Sequence, residues 1–198
     1  MADLMQLVTQ AMSGNNLESM SRQIGADTGS TAKAISAALP VLLGALDRNT
    51  NQAGGADALL NAIGKSHDGS ILDDLSGFLG GGQFDDGNAI LGHVLGGNRQ
   101  PGEEGISRAS GLDLSSVARL LPMLAPIVLG AIGKMQRQQG YDARGLSNAL
   151  SQERDRALQA HPDAMSSLER LLDGNHDGQV MDDVVKIGSS LLDSFLKS

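Results

Sequence analysis

The chain has no cysteine and no tryptophan, and aromatic residues make up only 2% of its 198 positions. Without cysteine, disulfides, thiol nucleophiles and thiolate-held zinc are all excluded. The aromatic set is Phe78, Phe84, Phe195 and Tyr141, so the core has to be built from Leu, Ile, Val, Ala and Met. That inventory favours closely approaching helices over a sheet, whose strands draw on aromatic and β-branched residues. Basic residues are also scarce: 15 Lys and Arg against 23 Asp and Glu give a net charge of −8. An acidic surface argues against nucleic acid or an anionic membrane as the main partner. Only Glu18, Glu103, Glu104, Glu153 and Glu169 are glutamates. The remaining acids are aspartates, which favour caps, turns and metal loops over helix interiors.

Catalytic signatures are missing as well. The chain contains no Gly-x-Ser-x-Gly elbow, no phosphate loop and no dinucleotide fingerprint. No two of its four histidines have helical metal-pair spacing. His67 and His176 occupy matching turn positions, and His93, between Leu91 and Val94, reads as a packed or half-exposed side chain. These absences point to a protein that is not an enzyme. Residues 1–13 lack both a basic leader and a long apolar run, and read instead as an amphipathic helix through Leu4, Leu7, Val8 and Ala11. A secretory signal is therefore not expected, and the cytoplasm is the default location.

What the chain has in quantity is glycine, 26 residues, clustered between apolar stretches where it serves helix ends and turns. It also repeats itself. A shift of 86 positions lays Gly25–Leu46 on Gly111–Ile132 without a gap, matching Gly25/Gly111, Asp27/Asp113, Ser30/Ser116, Pro40/Pro126 and Gly44/Gly130. After one extra residue, 55–63 falls on 142–150, and HDGSILDDL (67–75) returns as HDGQVMDDV (176–184), behind an insertion over 151–172. Three blocks in one order predict two copies of one unit, 1–100 and 101–198, packed into a single all-α body.

The heaviest apolar load lies in Ser115–Gln139, with its counterpart in Ser30–Asn49. Val117, Leu120, Leu121, Leu124, Ile127, Val128, Ala131 and Ile132 share one helical face. Ser115 or Ser116 is placed to cap the helix, and Pro122, Pro126 and Pro40 predict kinks or breaks. The uninterrupted apolar part, Leu120–Gly133, is shorter than the roughly 20 residues a bilayer requires, so a core helix rather than a membrane span is expected. Leu17–Ile24, Ala56–Gly64 and Ile71–Leu79 read as short helices, Gly80–Gly82 as a loop, and Asn98–Gly105 as the polar joint between copies. At the C-terminal end, Val184, Val185, Ile187, Leu191, Leu192, Phe195 and Leu196 predict one apolar helical face over 182–197.

Two stretches could carry chemistry. Asp173-Gly-Asn175-His-Asp177-Gly-Gln179-Val fits the first eight positions of a calcium loop. Asp173, Asn175 and Asp177 would supply side-chain oxygens, Gln179 its carbonyl, and Asp182 or Asp183 the closing carboxylate. Position 12, ordinarily a bidentate Glu, is Val184, so any calcium affinity is expected to be weak, on the order of 10⁻⁴–10⁻³ M. The alternative is a plain Asp-Gly turn ahead of a helix, and the first copy has Gly64, Ser66 and Asp68 at loop positions 1, 3 and 5. The second stretch, GLDLSSVARLL (111–121) with its echo at 25–35, resembles the entry into a helix-turn-helix recognition helix. It offers only Arg119 or Lys33 to a groove before turning wholly apolar.

The phrases ALPVLLGAL, LAPIVLGAIGK, GGADALLN and AILGHVLGG, with the Asp-Gly-x-x-x-Asp-Asp helix start, resemble the bacterial domain-of-unknown-function family 937, related to YidB-like proteins. The resemblance implies an all-helical, homeodomain-like arrangement of short helices in a bacterial cytoplasmic protein, and implies no activity. The expected function is a non-enzymatic interaction or structural module whose partner is a protein, itself included. Weak calcium binding and DNA binding are the alternatives.

Overall fold

A computed structural model describes residues 4–82 and 84–160. Among these residues the chain forms α-helices joined by short turns, with no strand. In order they are α1 (Leu4–Ala11), α2 (Asn15–Ile24), α3 (Thr28–Thr50), α4 (Gly55–Ser66), α5 (Leu75–Gly81), α6 (Asp85–Val94), α7 (Arg99–Ser110), α8 (Leu114–Gln139) and α9 (Ala143–Ala160). Single 3-10 turns at Ser70–Leu72 and Gly96–Asn98 link α4 to α5 and α6 to α7.

The long helices α3 and α8 form the centre. Both are long and apolar enough to cross a membrane by length and composition, yet 72% and 89% of their most apolar windows are buried inside the molecule. Their burial comes from an exchange of neighbours. α2 packs on α3 and α8, α7 packs on α8 and α3, α4 touches both, and α9 lies along α3. At the join between α2 and α8, Ser116 Oγ lies 3.0 Å from the Ile24 carbonyl oxygen and 2.8 Å from Asp113 Oδ2.

Ser115 and Ser116 do not cap α8. Asp113 does, accepting from the Ser116 amide at 3.0 Å, while both serine hydroxyls bond its carboxylate. Asp27 caps α3 in the same way through the Ser30 amide, with φ/ψ of −74°/158° against −68°/156° at Asp113. The preceding glycines, Gly25 and Gly111, end α2 and α7 with φ of 75° and 78°, which glycine adopts without steric cost.

These bonds lower both carboxyl pKa values. The Ser115 hydroxyl, then the Ser116 hydroxyl and amide, hold Asp113 far below the usual range, and the Ser30 amide and then its hydroxyl lower Asp27. The ionised caps therefore stabilise the fold fully above the unfolded value of 3.8, and this stabilisation is lost as pH falls through the depressed folded values. Urea midpoints should fall between about pH 5 and pH 2. They should fall less in an Asp27→Asn, Asp113→Asn protein, whose amides still cap but do not titrate. Equal acid slopes in the two proteins contradict this assignment.

The prolines do not break the long helices: α3 runs through Pro40, and α8 through Pro122 and Pro126. Pro126 has no N–H to offer the Pro122 carbonyl. Gly87 of α6 is set against that same carbonyl, so closely that a Cβ there would overlap its oxygen. The two helices therefore approach backbone to backbone at this point.

The expected joint at 98–105 is instead the start of α7. Pro101 stands in the first turn, where a missing N–H costs nothing. Arg99–Glu103 at 2.8 Å and Gln100–Glu104 at 3.2 Å then support the helix at i,i+4 spacing. The helix expected at 71–79 is divided into the 3-10 turn and α5, because the Asp74 carboxylate accepts from the Gly77 amide and restarts the helix there. Gly80 and Gly81 belong to α5, and only Gly82 is left-handed, with φ of 65°. The 151–160 part of the insertion simply prolongs α9.

Candidate functional site

The HDG phrase at 67–69 forms a turn between α4 and α5. Asp68 Oδ1 accepts from the Ser70 amide at 3.0 Å, and Oδ2 accepts from Arg137 Nη1 at 2.9 Å. The Ser70 amide, then its hydroxyl, with Arg137 adding to them, lower the Asp68 pKa. It is a turn bound to α8 by two glycines: a Cβ on Gly133 would overlap the His67 carbonyl oxygen, and one on Gly130 would crowd Ile71 Cγ2. The calcium-type residues Asp173, Asn175, Asp177, Gln179, Asp182 and Asp183 lie outside the described residues.

The helix-turn-helix-like segments are placed differently from a recognition helix. α8 and α3 are the central helices of the body. Past Arg119, α8 is buried almost continuously from Leu120 to Gly133. Its first turn offers Leu114, 48% exposed, and Ser115, with the Arg119 guanidinium turned back onto Ser115. Both long helices are buried along most of their length, and their exposed residues lie in the N-terminal turns and towards the end of α8.

A cleft of about 600 Å³ lies between the end of α3, α4 and α6. Its walls are small: Ala58 and Ala62 of α4 stand four residues apart, and Ala89 of α6 faces the same space. Its floor is Leu46, Leu59, Ile90 and Leu129. Gly55 admits the tight corner between α3 and α4, where a Cβ would overlap the Asn49 carbonyl. The Asn49 side chain donates to the His93 and Val94 carbonyls, both at 3.2 Å, which ties α3 to the end of α6.

Polar groups stand at the cleft's edge. His67, with a side chain only 10% exposed, places Nε2 3.9 Å from Asp86 Oδ2, and His93 lies two turns along α6 from Asp86. Sequence spacing alone gave no hint that His67 and His93 share a cleft, because they come together only when α4 and α6 fold onto α8. Among the described residues no group of three or more His, Asp or Glu side chains is arranged to hold a metal. The lining contains one hydroxyl, Thr50, which donates to the Asp47 carbonyl at 2.9 Å.

α3 and α9 are joined by a half-buried ion pair. Asp47, 3% exposed, bonds the Ser151 hydroxyl through Oδ1 and the Arg154 guanidinium through Oδ2. Ser147 Oγ reaches Thr50 Oγ1 at 3.3 Å one turn away.

No curated protein and no solved structure matches the chain. A family model described as a bacterial protein of unknown function, DUF937, matches residues 6–135, which takes in the cleft and most of α8 but not α9. With that match over more than half its length, the chain belongs to the DUF937 family.

Proposed function

We propose that this protein is a non-enzymatic interaction module that receives an apolar helical segment of a protein in the α4–α6 cleft. The observation that carries the reading is the shape of the walls. Ala58, Ala62 and Ala89 leave room for a helix to approach closely over a floor of Leu59, Ile90 and Leu129. Helix-in-groove recognition uses such a surface, with anchors from the guest at i, i+3, i+4 and i+7. Polar side chains that also line the cleft, among them His67, Asp86 and His93, would set orientation. The lining holds no nucleophile beside an imidazole and no convergent carboxylates, which supports binding over chemistry. The net charge of −8 supports a protein partner over nucleic acid.

The test compares full-length protein with an Ala62→Glu, Ala89→Glu variant and with an Arg22→Glu control on the exposed side of α2. Ala62 and Ala89 are exposed, so the fold should survive. A protein retained by the wild type and the control, and lost by the cleft variant, is the expected result. Equal retention by all three contradicts the reading.

A further inference from the structure

We infer that the helical segment received by the α4–α6 cleft carries a lysine or arginine whose cationic head sits between His67 and Asp86; the inference rests on the cleft reading above. It begins from the direction of the walls. Asn49 lies against Gly55 at the start of α4 and donates to the His93 and Val94 carbonyls at the end of α6. His67, just past the end of α4, meets Asp86 in the first turn of α6. The two helices therefore run in opposite directions along the cleft, and its two ends differ in chemistry. From Asp86 to His93, α6 rises about 10 Å, or about two turns, so a guest of similar length would span both ends.

At the Asp86 end, acceptors outnumber donors. His67 Nε2 and Asp86 Oδ2 both line the cleft and stand 3.9 Å apart, too far for a hydrogen bond. The His67 side chain is only 10% exposed, yet neither ring nitrogen makes a hydrogen bond among the described residues. A carboxylate accepts, and so does one nitrogen of a neutral imidazole. The group that satisfies both together is a donor with several N–H bonds, an ammonium or a guanidinium. A metal ion would find no third side-chain ligand among the described residues. The surrounding charge points the same way. Among the described carboxylates, only Asp57 and Asp85 have neither an ion pair nor a cap or turn bond. They lie in the first turns of α4 and α6, with Asp85 next to Asp86. Helix starts favour carboxylates in any case, but that does not account for a nine-tenths buried imidazole without a hydrogen bond beside them. Lys65, in the last turn of α4, pairs with none of these acids.

The experiment offers a displayed library of helical peptides, randomised along one face, to the full chain and discards those also retained by the Ala62→Glu, Ala89→Glu variant. The expected result is a set of apolar peptides with Lys or Arg fixed at one position. A selected peptide should bind an Asp86→Asn protein about tenfold more weakly, the loss of one charge-assisted hydrogen bond. Asp86 is 66% exposed, so this variant should fold. Replacing the peptide's basic residue by Gln should weaken binding to the wild type by a similar factor and binding to Asp86→Asn much less. Cleft-dependent peptides with no fixed basic position overturn the inference and leave the cleft reading standing. Basic peptides that bind the wild type and Asp86→Asn equally do the same. Failure to select any peptide that distinguishes the wild type from the cleft variant overturns both.

Discussion

Gly87→Ala is expected to destabilise the protein by about 3 kcal/mol, the upper end of the usual overpacking cost. The added methyl would overlap the Pro122 carbonyl oxygen, and its nearest neighbours there are backbone atoms of α8 that cannot turn aside. To admit it, α6 must move off α8, opening the contact that carries Ile90, Leu91 and Val94 into the core. Gly92→Ala, in the same helix, is the matched control. A Cβ there meets nothing within 4 Å. The change should stabilise the protein by roughly 0.5–1 kcal/mol through helix propensity. Denaturant unfolding of both variants checks the pair, and similar midpoints would show that the α6–α8 approach is not as close as described.

Arg154→Ala should cost about 3 kcal/mol, because it leaves the Asp47 carboxylate buried with a single hydroxyl partner. Asp47→Ala should cost less. Arg154 is 29% exposed and already bonds Asp155 at 2.7 Å, so its charge keeps both water and a partner. An Asp47→Leu, Arg154→Met protein should recover most of the loss, since apolar replacement of a buried pair is often neutral. Chemical denaturation of the three variants checks the order. A loss in Asp47→Ala as large as that in Arg154→Ala would place the charge burden on the arginine.

These two sites also show what the sequence reveals and what it conceals. The helical class follows from an aromatic-poor apolar inventory, and α3 and α8 stand out as its largest apolar stretches. Their N-terminal turns were legible too, since Gly25-x-Asp27 and Gly111-x-Asp113 recur together. The choice of Asp113 over Ser115 or Ser116 as the cap was not, because all three side chains can accept an amide and only the backbone dihedrals decide. Pro126 reads locally as a helix breaker. The helix nevertheless continues through it, and Gly87, 39 positions away, packs against the Pro122 carbonyl that Pro126 leaves without a helix bond. Residues 98–105 look like a linker by composition. They are helical because Pro101 falls in a first turn and Arg99, Gln100, Glu103 and Glu104 pair along the surface.

The cleft was the least legible feature. Ala58, Ala62, Ala89 and His93 carry no signal individually, and what they share is a position fixed by how α4 and α6 lie on α8. The Asp47–Arg154 pair was hidden for the same reason, with its partners 107 positions apart.

The central claim is that α3 and α8 are each completed by helices from the other half of the chain. Cutting the chain between Asn98 and Arg99 tests it most directly, by preparing the two fragments separately and together. Each fragment alone should lack cooperative unfolding, since α3 would lose α7 and α9 while α8 would lose α2 and α6. Mixed, they should form a one-to-one complex with the helical circular dichroism and cooperative melting of the intact chain. Cooperative folding of either fragment by itself, with no gain on mixing, would contradict the account.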